Sequence, residues 1–242
     1  MRGAALSFLR LFAVQASHNY DRMTGLGVSW ATAPLLADLP EAARQAAQRR
    51  GTRVFNSHPY LAGLAVGAIA RAEHDHVPAA QIERLRSALS APLGAVGDKL
   101  VWAGTLPAAV AAGMIVAVVA GPWYGVLTFL VAHNLVHVSL RWWGLNAGRR
   151  LGMGIASALN APIIRFGLKV TGPLAGFAIG VALPLVAHHE LEGLTTAAWT
   201  GVLAIAAAGV VVGRWLVPSA GALRVGLVLA GAALVLGWLW PS

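Results

Sequence analysis

The chain alternates polar clusters with apolar runs, and the runs lengthen where the clusters thin out. From Leu100 to Leu140 no Asp, Glu, Lys or Arg interrupts the sequence. That 41-residue run exceeds the roughly 20 residues of one membrane crossing. Gly121-Pro122 divides it into two passes, near 101–120 and 123–140. Later apolar runs over 170–187, 193–213 and 225–240 predict three more.

The first hundred residues follow another pattern. Leu6, Leu9, Ala13 and Ala16 recur at helical spacing, with Arg2 and Arg10 off that stripe. This predicts an amphipathic helix lying on the membrane or on a partner. Arg10 breaks the apolar core that a signal peptide would need. Residues 25–37 and 60–70 are apolar, too short to span, and contain Gly or Pro. They fit re-entrant segments, because irregular backbone at membrane depth must be buried in protein or line a cavity. Residues 41–53 predict a charged, Ala-rich helix, and 82–89 a helical stretch before Pro92. The expected fold is an all-α integral membrane protein. A cytoplasmic-side region of amphipathic and re-entrant helices covers 1–99. A transmembrane region of about five crossings covers 100–242.

Composition supports a membrane protein. Hydrophobic residues make up 57% and charged residues 11%, where a soluble domain carries about a quarter charged. The absence of Cys removes disulfides, thiolate metal sites and a cysteine nucleophile. A net charge of +9 would suggest nucleic-acid binding in a soluble protein. Here the basic residues sit at the ends of apolar runs and in the first hundred residues, so no nucleic-acid partner is expected. Lys99 precedes the first pass. Arg141, Arg149, Arg150, Arg165 and Lys169 lie between the second and third, and Arg214 and Arg224 between the fourth and fifth. The positive-inside rule then places the N-terminus in the cytoplasm. Small residues at four-residue spacing, Gly63 with Gly67 and the row Gly172, Gly176 and Gly180, suit close helix packing.

No standard catalytic signature is present: no G-x-x-x-x-G-K-[ST], no H-E-x-x-H, no G-x-S-x-G. No catalytic residue, metal site or cofactor is expected. His133 and His137, at i and i+4, would share a helix face. A metal transporter would want a carboxylate or further His at that depth, so a polar contact between helices is the plainer reading. Three polar clusters stand out: His18-Asn19-Tyr20-Asp21-Arg22, then Asn56-Ser57-His58-Pro59, then Asp98 at the mouth of the long apolar run. Each has a structural reading as a helix cap. Each also offers the donors and acceptors that hydrogen-bond sugar hydroxyls.

At these clusters the sequence resembles the IID membrane subunit of the mannose/fructose/sorbose-type phosphotransferase system. The matching segments are His18–Met23 with Leu26-Gly27, and Phe55–Tyr60. Glu73, Pro92–Asp98 and Trp102 follow, then Asn134-Leu135-Val136 and Arg141-Trp142-Trp143-Gly144. Their order and spacing agree over roughly residues 5–155. The resemblance implies a hetero-oligomer with a IIC subunit in the bacterial inner membrane. That pair would import a mannose-type hexose for phosphorylation by a soluble IIAB phosphocarrier, with IID itself unphosphorylated. Asn19, Asn56, His58, Asp98 and Asn134 are the candidates for lining the sugar path or holding its re-entrant segments. The alternative is a non-transporting membrane protein that docks phosphotransferase components for signalling.

Overall fold

The structure is a computed structural model that describes residues 1–190 and Thr200. Met1–Val186 form one compact unit and Ala187–Ser242 a second. The contacts given below all lie within the first. Apart from Thr200, the predicted passes at 193–213 and 225–240 fall outside the described residues. Among the described residues every regular element is helical.

Four short helices come first: α1 (Ala4–Leu11), α2 (Gly25–Thr32), α3 (Glu41–Gly51) and α4 (Ala62–His74). An N-terminal helix is present but ends at Leu11, so of the expected stripe only Leu6 and Leu9 lie on it, while Ala13 and Ala16 fall in the turn and 3₁₀ stretch that follow. Leu6 and Leu9 point away from the protein, 48% and 63% exposed, while Ser7 and Leu11 are buried. The Ser7 hydroxyl donates to the Ala31 carbonyl at 2.7 Å and fixes α1 on α2. In α3, Glu41 occupies the first turn and Arg49 and Arg50 the last, the arrangement that complements the helix dipole. The two apolar segments too short to span are α2 and α4, and both are largely buried in protein.

A long helical rod follows. α5 (Ala79–Gly97) continues through Pro92 into a π-helical stretch, Asp98–Thr105, and then into α6 (Leu106–Ala120). Two readings from the sequence change here. The helix does not stop at Pro92, and Asp98 does not cap the first pass, because the backbone is already helical on both sides of it. Gly121 makes the corner at φ 109°, a conformation that favours glycine, and Pro122 opens α7 (Pro122–Leu151). A 3₁₀ stretch, Gly152–Asn160, leads into α8 (Pro162–Glu190).

Ala79–Ala120 and Pro122–His189 are apolar enough to cross a membrane, with mean hydropathy of 2.0 and 1.9 in their best windows. Their apolar side chains face outward: Val119 is 73% exposed, Leu135 64% and Phe177 71%. A helix with apolar side chains left on its outer surface suits lipid or a membrane partner.

The N-terminal helices dock onto this scaffold through α4 and α7. Gly63 and Gly67 of α4 meet Gly144 and Gly148 of α7 in this same chain, which answers what the Gly63–Gly67 pair packs against. A Cβ on Gly67 would lie 2.5 Å from the Leu145 carbonyl oxygen, and one on Gly63 would lie 2.8 Å from the Leu145 nitrogen. Only glycine allows the two backbones this close. The row Gly172, Gly176 and Gly180 has no described atom within 4 Å of an added Cβ.

A methyl group or more at the α4–α7 contact must push the helices apart, at a cost of about 1–3 kcal/mol. Gly67→Val is expected to lower the thermal unfolding midpoint of the detergent-solubilised protein by several degrees. Gly154→Ala, with no described atom near the added Cβ, is expected to leave it unchanged.

Candidate functional site

The site is built where the loop before α4 meets the π-helical stretch. Phe55 is 1% exposed and seats the loop in the core. The Thr24 amide and hydroxyl both donate to the Phe55 carbonyl at 2.9 Å. Asn56, His58, Asp98 and Trp102, with His18 and Thr24, line one open cavity of about 190 Å³. Asn56 and Asp98 are exposed at its wall. His58 is 2% exposed. Its Nδ1 accepts the Tyr60 amide at 3.2 Å, which assigns the proton of the neutral ring to Nε2. That Nε2 has no partner among the described residues. Asp98 opens the π-helical stretch, a local form that recurs at functional sites.

The five residues singled out from the sequence therefore divide. Asn56, His58 and Asp98 come together. Asn19 is not among the residues that line the cavity; it follows His18 and closes a turn. Its Oδ1 accepts the Arg22 amide at 2.8 Å, and its Nδ2 donates to the Ser17 carbonyl at 3.0 Å. Asn134 is apart from them. It lies in a shallow apolar groove with Leu130, Val131, Leu135 and Val138. Its Nδ2 donates back to the Leu130 carbonyl at 2.8 Å.

Beside the cavity is an aromatic and cationic cluster that sequence reasoning did not assemble. Tyr60 is at its centre. Its hydroxyl meets His133 Nε2 at 3.0 Å, and its ring stacks on His137 with centroids 4.4 Å apart. The Arg141 guanidinium lies 4.6 Å from the Tyr60 centroid and 5.1 Å from that of Phe12. Arg141 Nε donates to the Leu11 carbonyl at 3.1 Å. His58 packs against both Tyr60 and Trp102, at 5.0 and 5.1 Å. Arg141, one of the basic residues between the second and third predicted passes, is 2% exposed. The signal was present in the spacing of His133, His137 and Arg141, four residues apart twice over. The partner face on Tyr60 and Phe12 was not visible. Of the two histidines, His133 makes a polar contact, to Tyr60 in the turn that leads into α4, while His137 meets the same residue by ring stacking. Among the described residues no three His, Asp or Glu side chains converge to hold a metal ion.

Three comparisons bear on this arrangement. The family model for the PTS system mannose/fructose/sorbose family IID component matches residues 4–212. The sorbose-specific EIID component of Klebsiella pneumoniae is 32% identical over 194 residues, covering 74% of this chain and 70% of that protein. The mannose-specific EIID component of Escherichia coli strain K12 is 30% identical over 195 residues, covering 74% and 69%. Among solved structures, that of the mannose transporter ManYZ with Microcin E492 (MceA) aligns with a TM-score of 0.57 at 27% identity, covering 74% of this chain and 68% of that chain. A second, described as a membrane protein, aligns with a TM-score of 0.65 at 28% identity and the same coverage.

His58 lies outside the two long apolar spans, and its burial has a measurable consequence. Burial, and then the charge of Arg141, lower its pKa from 6.5 to about 4. The unfolded chain takes up this proton at higher pH than the folded chain. The stability that neutral His58 contributes is complete above pH 6.5 and is lost as pH falls towards 4. The unfolding midpoint in detergent is therefore expected to drop between these values. It should drop less steeply in His58→Gln, whose side chain does not titrate.

Proposed function

We propose, from the premise that this chain belongs to the mannose/fructose/sorbose family of phosphotransferase-system IID components, that its cavity faces the sugar path. The chain is a membrane subunit of a sugar phosphotransferase system. In our reading it pairs with a IIC subunit in the bacterial inner membrane. The pair imports a mannose-type hexose, which a soluble IIAB phosphocarrier phosphorylates. This chain holds no phosphorylated or catalytic residue of its own, and it acts by shaping the path.

The observation that carries the reading is the convergence of Asn56, His58 and Asp98 beside Trp102 in one cavity. The amide offers both donor and acceptor, the carboxylate accepts, and neutral His58 presents an unpaired N–H. Trp102, 42% exposed, supplies a flat apolar surface for the C–H face of a sugar ring. Asn19 holds the turn that follows His18 of the wall. We assign Asn134 to the outer surface of α7, as a contact to the IIC partner or as scaffold.

Orientation follows from the aromatic residues of α7. Trp123 and Trp142 are 84% and 52% exposed and stand 19 residues apart, about 28 Å along a helix. That matches the roughly 30 Å hydrocarbon core with an aromatic residue at each boundary. Arg149 and Arg150 lie beyond Trp142 and mark its end as cytoplasmic. Phe8 of α1 touches Trp142, with centroids 5.2 Å apart. This contact supports a reading in which α1 lies at the cytoplasmic boundary, with Leu6 and Leu9 turned to lipid. The N-terminus and the region over 1–99 are then cytoplasmic-side, and 100–242 the membrane region.

Two measurements test this. Tagged chain is expected to co-purify with the IIC subunit. Asn56→Ala, in a complex that still assembles, is expected to reduce phosphoenolpyruvate-driven sugar uptake about tenfold, the loss of one or two hydrogen bonds to a desolvated hydroxyl. Normal uptake would remove Asn56 from the path.

A further inference from the structure

The backbone from Arg53 to Asn56 belongs to no helix. Such a segment keeps one conformation only if its amides and carbonyls find partners elsewhere. Residues 22–24 hold one edge of it. Besides the two Thr24 bonds to the Phe55 carbonyl, the Phe55 amide donates to the Arg22 carbonyl at 3.3 Å. Helix α5 holds the other edge. The Ser90 hydroxyl donates to the Asn56 carbonyl at 2.5 Å and accepts the Asn56 amide at 3.1 Å. One turn earlier, Arg86 is 2% exposed. Its Nη2 donates to the carbonyls of both Gly51 and Arg53 at 3.1 Å. Its guanidinium lies 5.4 Å from the Phe55 ring centroid. Four residues apart, Arg86 and Ser90 share one face of α5.

A buried guanidinium directed at loop carbonyls is an uncommon choice for packing alone, since an apolar side chain would fill the space without desolvating a charge. We infer that Arg86 and Ser90 are positioning residues for the site: they fix the 51–56 backbone and thereby set Asn56 and His58 opposite Asp98. The same rod supplies the opposing wall, because α5 runs unbroken into the stretch that begins with Asp98. One helix grips one side of the cavity and carries the other. This inference rests on the reading of Asn56, His58 and Asp98 as the sugar-facing wall.

The chain contains no Cys, so a single thiol can report on the segment. Ser57, 5% exposed, lies between Asn56 and His58, and Ser57→Cys is nearly isosteric. The measurement is the rate of maleimide modification at position 57 in the IIC complex, in vesicles. Adding Arg86→Met or Ser90→Ala is expected to raise the rate about tenfold. Ser90→Thr, which keeps the hydroxyl, is expected to hold it at the starting value. In vesicles without the reporter, Ser90→Ala is expected to raise the apparent KM for mannose uptake more than it lowers the maximal rate. A rate at position 57 that stays at the starting value in both Arg86→Met and Ser90→Ala would overturn the inference. Should Arg86→Met fail to assemble, Ser90→Ala, which deletes one hydroxyl, carries the test. Uptake unaffected by Asn56→Ala, together with a responsive thiol, would reject the sugar-facing reading and leave the clamp standing.

Discussion

Arg141 is a full positive charge buried beside apolar helices, and no described carboxylate forms an ion pair with it. Such a group is costly unless its environment supplies electron density. Here the supply is the Leu11 carbonyl and the faces of Tyr60 and Phe12. These three come from the N-terminal elements, whereas Arg141 belongs to the long α7. Satisfying the cation therefore requires those elements to dock at one level of α7. The glycine contact between α4 and α7 removes the side chains that would keep the backbones apart, and lets Tyr60 reach Arg141, His133 and His137.

The cavity depends on that docking. Tyr60 fixes His58 through its amide and its ring. His58 in turn packs on Trp102 of the π-helical stretch. Asp98 stands one turn before Trp102, and Asn56 is drawn to α5 by Ser90. The polar groups of the cavity thus come from an irregular loop on one side and an irregular turn of helix on the other. Each is held by regular helices that pack tightly. The combination of rigid supports and exposed, non-repeating backbone is what recognition of a polar solute needs.

Much of the fold was legible in the sequence because membrane helices are set by simple physics. The charge-free run from Leu100 to Leu140, the Gly121-Pro122 corner and the short apolar α2 and α4 all emerged from pattern alone. Helix termini were less legible. Pro92 looked like a stop and Asp98 like a cap, yet both lie within one continuous rod. Proline's lost hydrogen bond and the π-helical register are absorbed locally, and neither leaves a periodic trace. In the site, the residue types Asn, His and Asp drew attention to three polar clusters, but not to which of them meet. Asn56 and His58 are neighbours in sequence. Asp98 joins them only through the fold, while Asn134 faces elsewhere. Arg141 reads in the sequence only as one of the basic residues that end an apolar run, yet it is buried in protein. Its partners lie some 80 and 130 residues away in the chain, and no local pattern announces them.

The central claim is that this chain is a working part of a sugar-translocating complex, with its N-terminal helices shaping the path. The most direct measurement uses sealed vesicles containing the IIC subunit, charged with phosphoenolpyruvate and the soluble carriers including IIAB. Uptake of labelled mannose, fructose and sorbose is recorded with and without this chain. At least one of these sugars is expected to accumulate as its phosphate only when the chain is present. Equal accumulation without it, or none of the three in either case, would show that the chain is not a working part of the path.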